Sequence, residues 1–206
     1  MARLFALDQN FPQPIVKVLQ DFQADADLVP VSAIDPRMAE LDDWQLLLAL
    51  HHHGRPWDGL ITTDSSILFQ PLELSVLIQT RLTLVVALEA GHNPVKATGL
   101  LFAHLAGICK RTRPDEAQLW RLQARTQAHV APWDQLKTVA EHQNADASGL
   151  FAAHRLKTSS SQPTHSLDPR RHEYAPRRGP HPNPRRGYDT GHQIARVTPV
   201  VHVSAT

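Results

Sequence analysis

Phe5-Ala6-Leu7-Asp8 and, further along, Leu60-Ile61-Thr62-Thr63-Asp64 share one design: a short apolar or β-branched run closed by an aspartate. Runs this short, bounded by polar residues, read as buried strands rather than helices. Residues 28–31 and 82–88 have the same character. Strands of a parallel sheet are covered on both faces, so they look continuously apolar instead of alternating. Between them the spacing becomes helical. Ile15, Val16, Leu19 and Phe22 mark one helix over residues 12–22, Leu46, Leu47 and Leu50 mark a second over 42–53, and residues 71–79 form a shorter third. Asn93-Pro94 then caps a long helix, with Val95, Thr98, Leu101, Phe102, Leu105 and Cys109 along one stripe. Right-handed crossovers between such strands predict an α/β fold: an open parallel sheet with helices on both faces.

In sheets of this kind ligands bind beyond the carboxyl ends of the strands, where the strand order reverses. Asp8 and Asp64 stand at two such ends, and Asp42 or Asp43, opening a helix, points to the same rim. Carboxylates that converge repel one another, and a divalent cation is the usual remedy. Oxygen ligands without cysteine or histidine at ligand spacing favour Mg²⁺ or Mn²⁺. Each residue also has a structural reading. Asp42 suits a helix cap, Asp43 complements the helix dipole, and Asp8 and Asp64 can begin turns. Their coincidence at strand ends is what favours a site.

Three pieces taken in order, Leu7-Asp8-Gln9-Asn10-Phe11-Pro12, Leu41-Asp42-Asp43-Trp44-Gln45-Leu46-Leu47 and Leu60-Ile61-Thr62-Thr63-Asp64-Ser65-Ser66, resemble the PIN-like nucleases. These are small α/β metal-dependent ribonucleases that include the toxins of bacterial toxin–antitoxin pairs. The likeness covers about residues 3–110. It implies hydrolysis of RNA phosphodiester bonds by an endoribonuclease using Mg²⁺ or Mn²⁺, through water activated by the cation. Asp8 would be the central ligand, with Asp43 or Asp42 and Asp64 completing the set. Asn10 would hold a ligand or a water, with Thr63 and Ser66 in support. The resemblance further implies an RNA substrate, an antitoxin protein as partner, and the homodimer common among such toxins. One departure stands out: many relatives carry a second acid two positions after the last strand's aspartate, where this chain has Ser66. That keeps a second reading open, a catalytically degenerate PIN-like module that binds RNA or protein.

Other residues are less specific. His51-His52-His53 invites a metal reading, but consecutive helical residues point about 100° apart, and before Gly54 they suit the end of a helix. Trp44 and Trp57 read as core, although an exposed indole beside the site would stack on a base. Cys109 is the sole cysteine, which excludes an intramolecular disulfide and reads as a small buried hydrophobe. The start lacks the apolar length of a signal peptide and no run is long enough to span a bilayer, so a soluble cytoplasmic protein without membrane contact is the expectation.

Charge divides the chain. Residues 1–154 hold 12 Lys and Arg against 17 Asp and Glu, residues 155–206 hold 9 against 3, and the net charge of +1 therefore conceals −5 and +6. The basic part carries 7 of the 16 prolines and the pairs Arg170-Arg171, Arg177-Arg178 and Arg185-Arg186. The expected organisation is a PIN-like domain over residues 1–112, a helical extension over 113–156 and a disordered basic tail over 157–206. Asp115-Glu116 with Leu119, Trp120 and Leu122 begin the extension, followed by Pro132-Trp133-Asp134 and residues 146–154. Such a tail suits salt-sensitive RNA contacts, antitoxin docking or solubility, and equally the product of reading GC-rich DNA out of frame. A phosphoacceptor receiver domain is disfavoured, because Gln9-Asn10 replace its acidic pair and Glu89-Ala90-Gly91-His92 supply no lysine. Neither a Gly-rich dinucleotide turn nor a phosphate loop is present.

Overall fold

The computed structural model describes residues 2–11, 25–88, 90 and 93–156, and the structural statements below concern these. The helix expected over residues 12–22 and the tail expected over 157–206 lie outside them. Six strands form one sheet: β1 (Arg3–Leu7), β2 (Ala26–Pro30), β3 (Gly59–Thr62), β4 (Thr83–Ala87), β5 (Gln118–Leu122) and β6 (Gln127–Val130), in the order β2-β1-β3-β4-β5-β6. The first five are parallel to their neighbours, and β6 returns antiparallel beside β5. The helices are the single turn α1 (Val31–Ile34), α2 (Asp43–His51), α3 (Pro71–Thr80), α4 (Pro94–Arg111), α5 (Pro132–His142) and α6 (Ala147–Ala153).

Strand alternation sorts the core into two layers. Leu4, Ala6, Leu60, Leu84, Val86 and Leu119 face α2, α3 and α5, packing with Leu46, Leu47, Leu50, Leu74, Leu77, Leu136 and Val139. Phe5, Leu7, Ile61, Val85, Ala87, Trp120 and Leu122 face α4, against Leu101, Leu105, Ile108 and Cys109. Helices thus cover both faces, as the continuous apolar strands require. Asn93 caps α4, its side chain accepting from the Lys96 amide at 3.1 Å, with Pro94 in the first turn. The buried stripe of α4 is rotated from the expected one. Ala97, Leu100 and Ile108 are inside, whereas Val95 is 76% and Phe102 39% exposed. Cys109 is buried, and burial pushes its thiol up to about 11. Among the described residues no helix is long and apolar enough to cross a membrane.

The main correction concerns residues 114–122. The expected helix is strand β5, paired in register from Thr83↔Gln118 to Ala87↔Leu122. The misreading has a physical cause. Leu119 goes to one layer and Trp120 and Leu122 to the other, and a strand buried on both faces offers apolar residues at a spacing that also fits one side of a helix. The hairpin closes through Gln123 and Thr126, whose backbones exchange bonds of 2.8 and 3.3 Å. The sheet is therefore mixed rather than wholly parallel, with an antiparallel strand at its edge. The two later helices of that region, α5 and α6, stand where expected, Asp146 capping α6 by accepting from Gly149 at 2.7 Å.

At Gly59, paired with Thr83 of β4, an added Cβ would sit 1.8 Å from the Thr83 carbonyl oxygen. Backbone on both sides leaves no flexible atom to yield. Gly59→Ala is expected to cost about 3 kcal/mol or more, read as a fall in the urea midpoint of unfolding. An unchanged midpoint would contradict this register.

Candidate acidic active site

The strand order turns back between β1 and β3, because the chain leaves β1 for β2 on one side and returns to β3 on the other. Asp8 follows β1 at this point, and its amide donates to Ile61 O at 2.9 Å, extending the β1–β3 ladder by one bond. The residue is only 3% exposed. Burying a carboxylate is costly unless its oxygens are satisfied. Oδ1 accepts from the Gln9 amide at 2.6 Å, while Oδ2 accepts from Thr62 Oγ1 at 2.8 Å and from Asn10 Nδ2 at 3.2 Å. Asp8 is thereby fixed in orientation.

Thr62 couples the two strand ends. While donating to Asp8, its hydroxyl accepts from the Asp64 amide at 3.0 Å. Asp64 is partly exposed, and its Oδ1 accepts from the Ser66 amide at 2.8 Å. Thr63 Oγ1 donates to Asn10 O at 3.2 Å, tying the loop after β1 to the loop after β3. Ser66 is exposed and opens a 3₁₀ turn, Ser66–Phe69.

Asp42 is exposed and occupies the N-cap of α2, its amide donating to Gln45 Oε1 at 3.1 Å. Asp43 begins the helix and is partly buried. Its carboxyl is pushed up to about 6, first by burial and then by the negative charges of Asp8, Asp64, Glu73 and Asp42. Three carboxylates from three other segments, and neighbouring Asp42, thus act on the one that opens α2. Among the described residues, none of the ion pairs engages any of these five acids.

Glu73 was not among the expected site residues. It lies in the first turn of α3 after Pro71, a place where an acid merely complements the helix dipole. Burial raises its pKa, with the Asp42 charge adding to this while its own amide and His154 oppose it, and its Oε2 is buried without a hydrogen-bond partner. Only the packing of α2 on α3 brings it to the rim. The one local signal was an acidic first turn closely following Asp64.

The remaining candidates lie elsewhere. His51, His52 and His53 are exposed at the far end of α2, roughly 12 Å along its axis from Asp43. There they suit the helix dipole, as expected. Trp57 is 8% exposed and packs beside Arg55 and His53, while Trp44 is partly buried against the core. A cleft of about 1030 Å³ also opens at the amino ends of the strands, away from the acids. Arg3 and Asp58 pair across it at 2.9 Å, and Arg55 and Asp27 approach to 3.9 Å.

An all-carboxylate set fits a hard divalent cation in chemistry. In geometry it is open: among the described residues no three acidic, histidine or cysteine side chains converge closely enough to hold an ion by themselves. Comparison with protein-family models, curated proteins and solved structures gave no match.

A carboxyl whose folded-state pKa exceeds its unfolded value stabilises the folded state when protonated. The Asp43 contribution is therefore fully present below 3.8 and lost as pH rises through about 6. Asp43→Asn is expected to flatten stability between these limits and to stabilise the ion-free protein at pH 7 by roughly 1–2 kcal/mol, after discounting for partial exposure. Asp42→Ala, losing a cap, should instead cost about 1 kcal/mol across that range. Thermal melting from pH 3.5 to 8 in EDTA separates the two, and equal pH slopes for parent and Asp43→Asn would remove Asp43 from the cluster.

Proposed function

We propose that this chain is a divalent-cation-dependent ribonuclease of the PIN-like kind, hydrolysing RNA phosphodiester bonds at the acidic rim beyond β1 and β3. One feature carries the reading: Asp8 and Asp64 follow β1 and β3 at the place where the strand order reverses, and Asp43 opens α2 near enough that, after its burial, their charges help push its carboxyl up to about 6. The resemblance of the three sequence pieces around these residues supplies the reaction class. It extends the proposal to the toxin of a toxin–antitoxin pair, with an antitoxin as protein partner.

Mg²⁺ or Mn²⁺, when bound, would lower the pKa of a coordinated water and neutralise charge on the phosphate oxygens. Asp8, Asp43 and Asp64 are the residues that would hold it. What the chain itself does is position them. Thr62 and Asn10 fix Asp8 Oδ2, the Ser66 amide turns Asp64, and the N-terminus of α2 carries Asp43. Glu73 adds a carboxylate near Asp42 and Asp43. Phosphate approaches such a site only once its charge is offset, so substrate and cation are expected to bind cooperatively.

A second reading, a degenerate module that binds RNA or protein without cutting it, is favoured by one specific feature: Ser66 is exposed and carries no charge. The test is cleavage of a mixed RNA pool with Mn²⁺, beside EDTA and Asp8→Asn. Loss of the central carboxylate should slow cleavage by at least about a hundredfold, while the melting temperature stays within a few degrees of the parent. Cleavage surviving in Asp8→Asn would move the activity away from this rim. RNA bound but uncut by the parent would establish the degenerate module.

A further inference from the structure

Where α4 packs on the last two strands, polar side chains gather over Trp120. Gly107 and Arg111 stand one turn apart on α4 and so share a side of the helix. On β6, Gln127 is opposite Leu122 and His129 is opposite Trp120, which puts both on the α4 layer of the sheet. Trp120 itself is buried. The Arg111 guanidinium lies over its ring at 4.5 Å, and the tilted His129 ring packs against it at 4.7 Å.

Arg111 is held without being neutralised. Its Nε donates to the Gly107 carbonyl at 3.0 Å and the indole takes its flat face. Among the described residues no carboxylate pairs with it, and its two terminal nitrogens have no protein acceptor. Gly107, only partly buried, leaves a gap beside them. A β-carbon there would sit 3.3 Å from Arg111 Nη2 and 3.7 Å from Gln127 Nε2, so donors from α4 and β6 flank one vacant position. Two more groups of the same cluster lack partners: Trp120 Nε1 and Gln127 Oε1 are buried without a hydrogen bond. Incomplete hydrogen bonding concentrated in one place calls for an explanation that packing does not supply.

The donors select an anion. A guanidinium stacked on an aromatic face keeps its N–H edge free, and that edge matches a pair of phosphate oxygens. The surrounding elements carry nothing to repel one. α4 contains Lys96, His104, Lys110 and Arg111 with no Asp or Glu, and residues 117–131 contain Arg121 and Arg125 with none either.

We propose that Arg111, Gln127 and the gap over Gly107 form a binding site for a phosphate group, on the layer of the sheet opposite α2 and α3. Arg111 supplies the charge and two donors, Gln127 Nε2 supplies a third, and Gly107 supplies the room. The site is independent of the ribonuclease reading.

The test is titration of the full chain with inorganic phosphate in EDTA, with ionic strength held constant by chloride, read by calorimetry and by the melting temperature. The parent is expected to bind saturably and to melt higher as phosphate rises. Gly107→Ala fills the gap. Its new carbon meets only the ends of two flexible side chains, and alanine suits a helix better than glycine. The variant is therefore expected to melt at or above the parent in chloride while its phosphate affinity falls by about tenfold or more. Arg111→Lys, which keeps the charge and loses the planar fork, is expected to lose about as much. A parent indifferent to phosphate, or a Gly107→Ala protein that binds it as well as the parent, overturns the site whatever becomes of RNA cleavage. A Gly107→Ala protein that melts well below the parent also overturns it, by showing the gap to be packed. A parallel titration with a dinucleoside monophosphate, whose one phosphate is a diester, separates the sources. Equal binding of both probes sustains the site with nucleic-acid backbone as its ligand, and binding of inorganic phosphate alone sustains it with a free or terminal phosphate.

Discussion

The Thr62 hydroxyl ties the acidic rim together, donating to Asp8 Oδ2 at 2.8 Å while accepting the Asp64 amide at 3.0 Å. One side chain thereby sets the direction of a carboxylate on β1 and the path of the backbone leaving β3. It can do so only because β1 and β3 are hydrogen-bonded neighbours with the crossover to β2 on the far side of β1. A crevice at the reversal of strand order follows from that topology. Its polar lining has to be satisfied internally, since Asp8 is nearly inaccessible to water. A threonine suits this position twice over: its branched side chain fits a strand, and its hydroxyl serves as donor and acceptor together.

The charge that gathers there is not neutralised by any described side-chain ion pair. Part of the compensation comes from backbone. α2 and α3 both direct their N-termini toward the rim and place an acid, Asp43 and Glu73, in the first turn. Each such placement is worth about 0.3–1 kcal/mol, less than the repulsion and desolvation implied by a carboxyl held near 6. The remainder is a cost that the two apolar layers must carry. Stability is thus spent locally on a feature that folding alone does not require, which is the usual mark of a site whose charge serves a ligand.

The sequence made the α/β class and three of the rim acids legible for a simple reason. Asp8 and Asp64 are strand-end residues, and Asp43 is a helix-start residue, so local hydrophobic pattern places all three. Glu73 belongs to the same rim and escaped notice, because its membership depends on how α2 packs against α3, a contact that no local spacing encodes. Thr62 escaped for a related reason. Within Leu60-Ile61-Thr62-Thr63 the strand pattern does not say which threonine turns toward Asp8, and the register of β1 on β3 decides it. Trp120 shows the opposite failure: the local signal was strong, and it was ambiguous between a helix stripe and a strand buried on both faces.

That ambiguity has a structural consequence beyond β5 itself. The chain after residue 113 looked separable from the acidic rim, yet it supplies the outer strand pair of the sheet and then sends α5 back across α3. From α5, Gln135 reaches the Leu68 carbonyl, and Gln79 of α3 is in turn held by the segment after α6, accepting from the Leu156 amide at 2.6 Å. The loop that begins at Asp64 is therefore braced by residues far from it in sequence. Removing the chain beyond residue 113 would strip β4 of one of its two partners and leave a buried carbonyl at Leu68 without its donor. The acids mark the site locally, but its rigidity belongs to the whole described sheet and the helices that cover it.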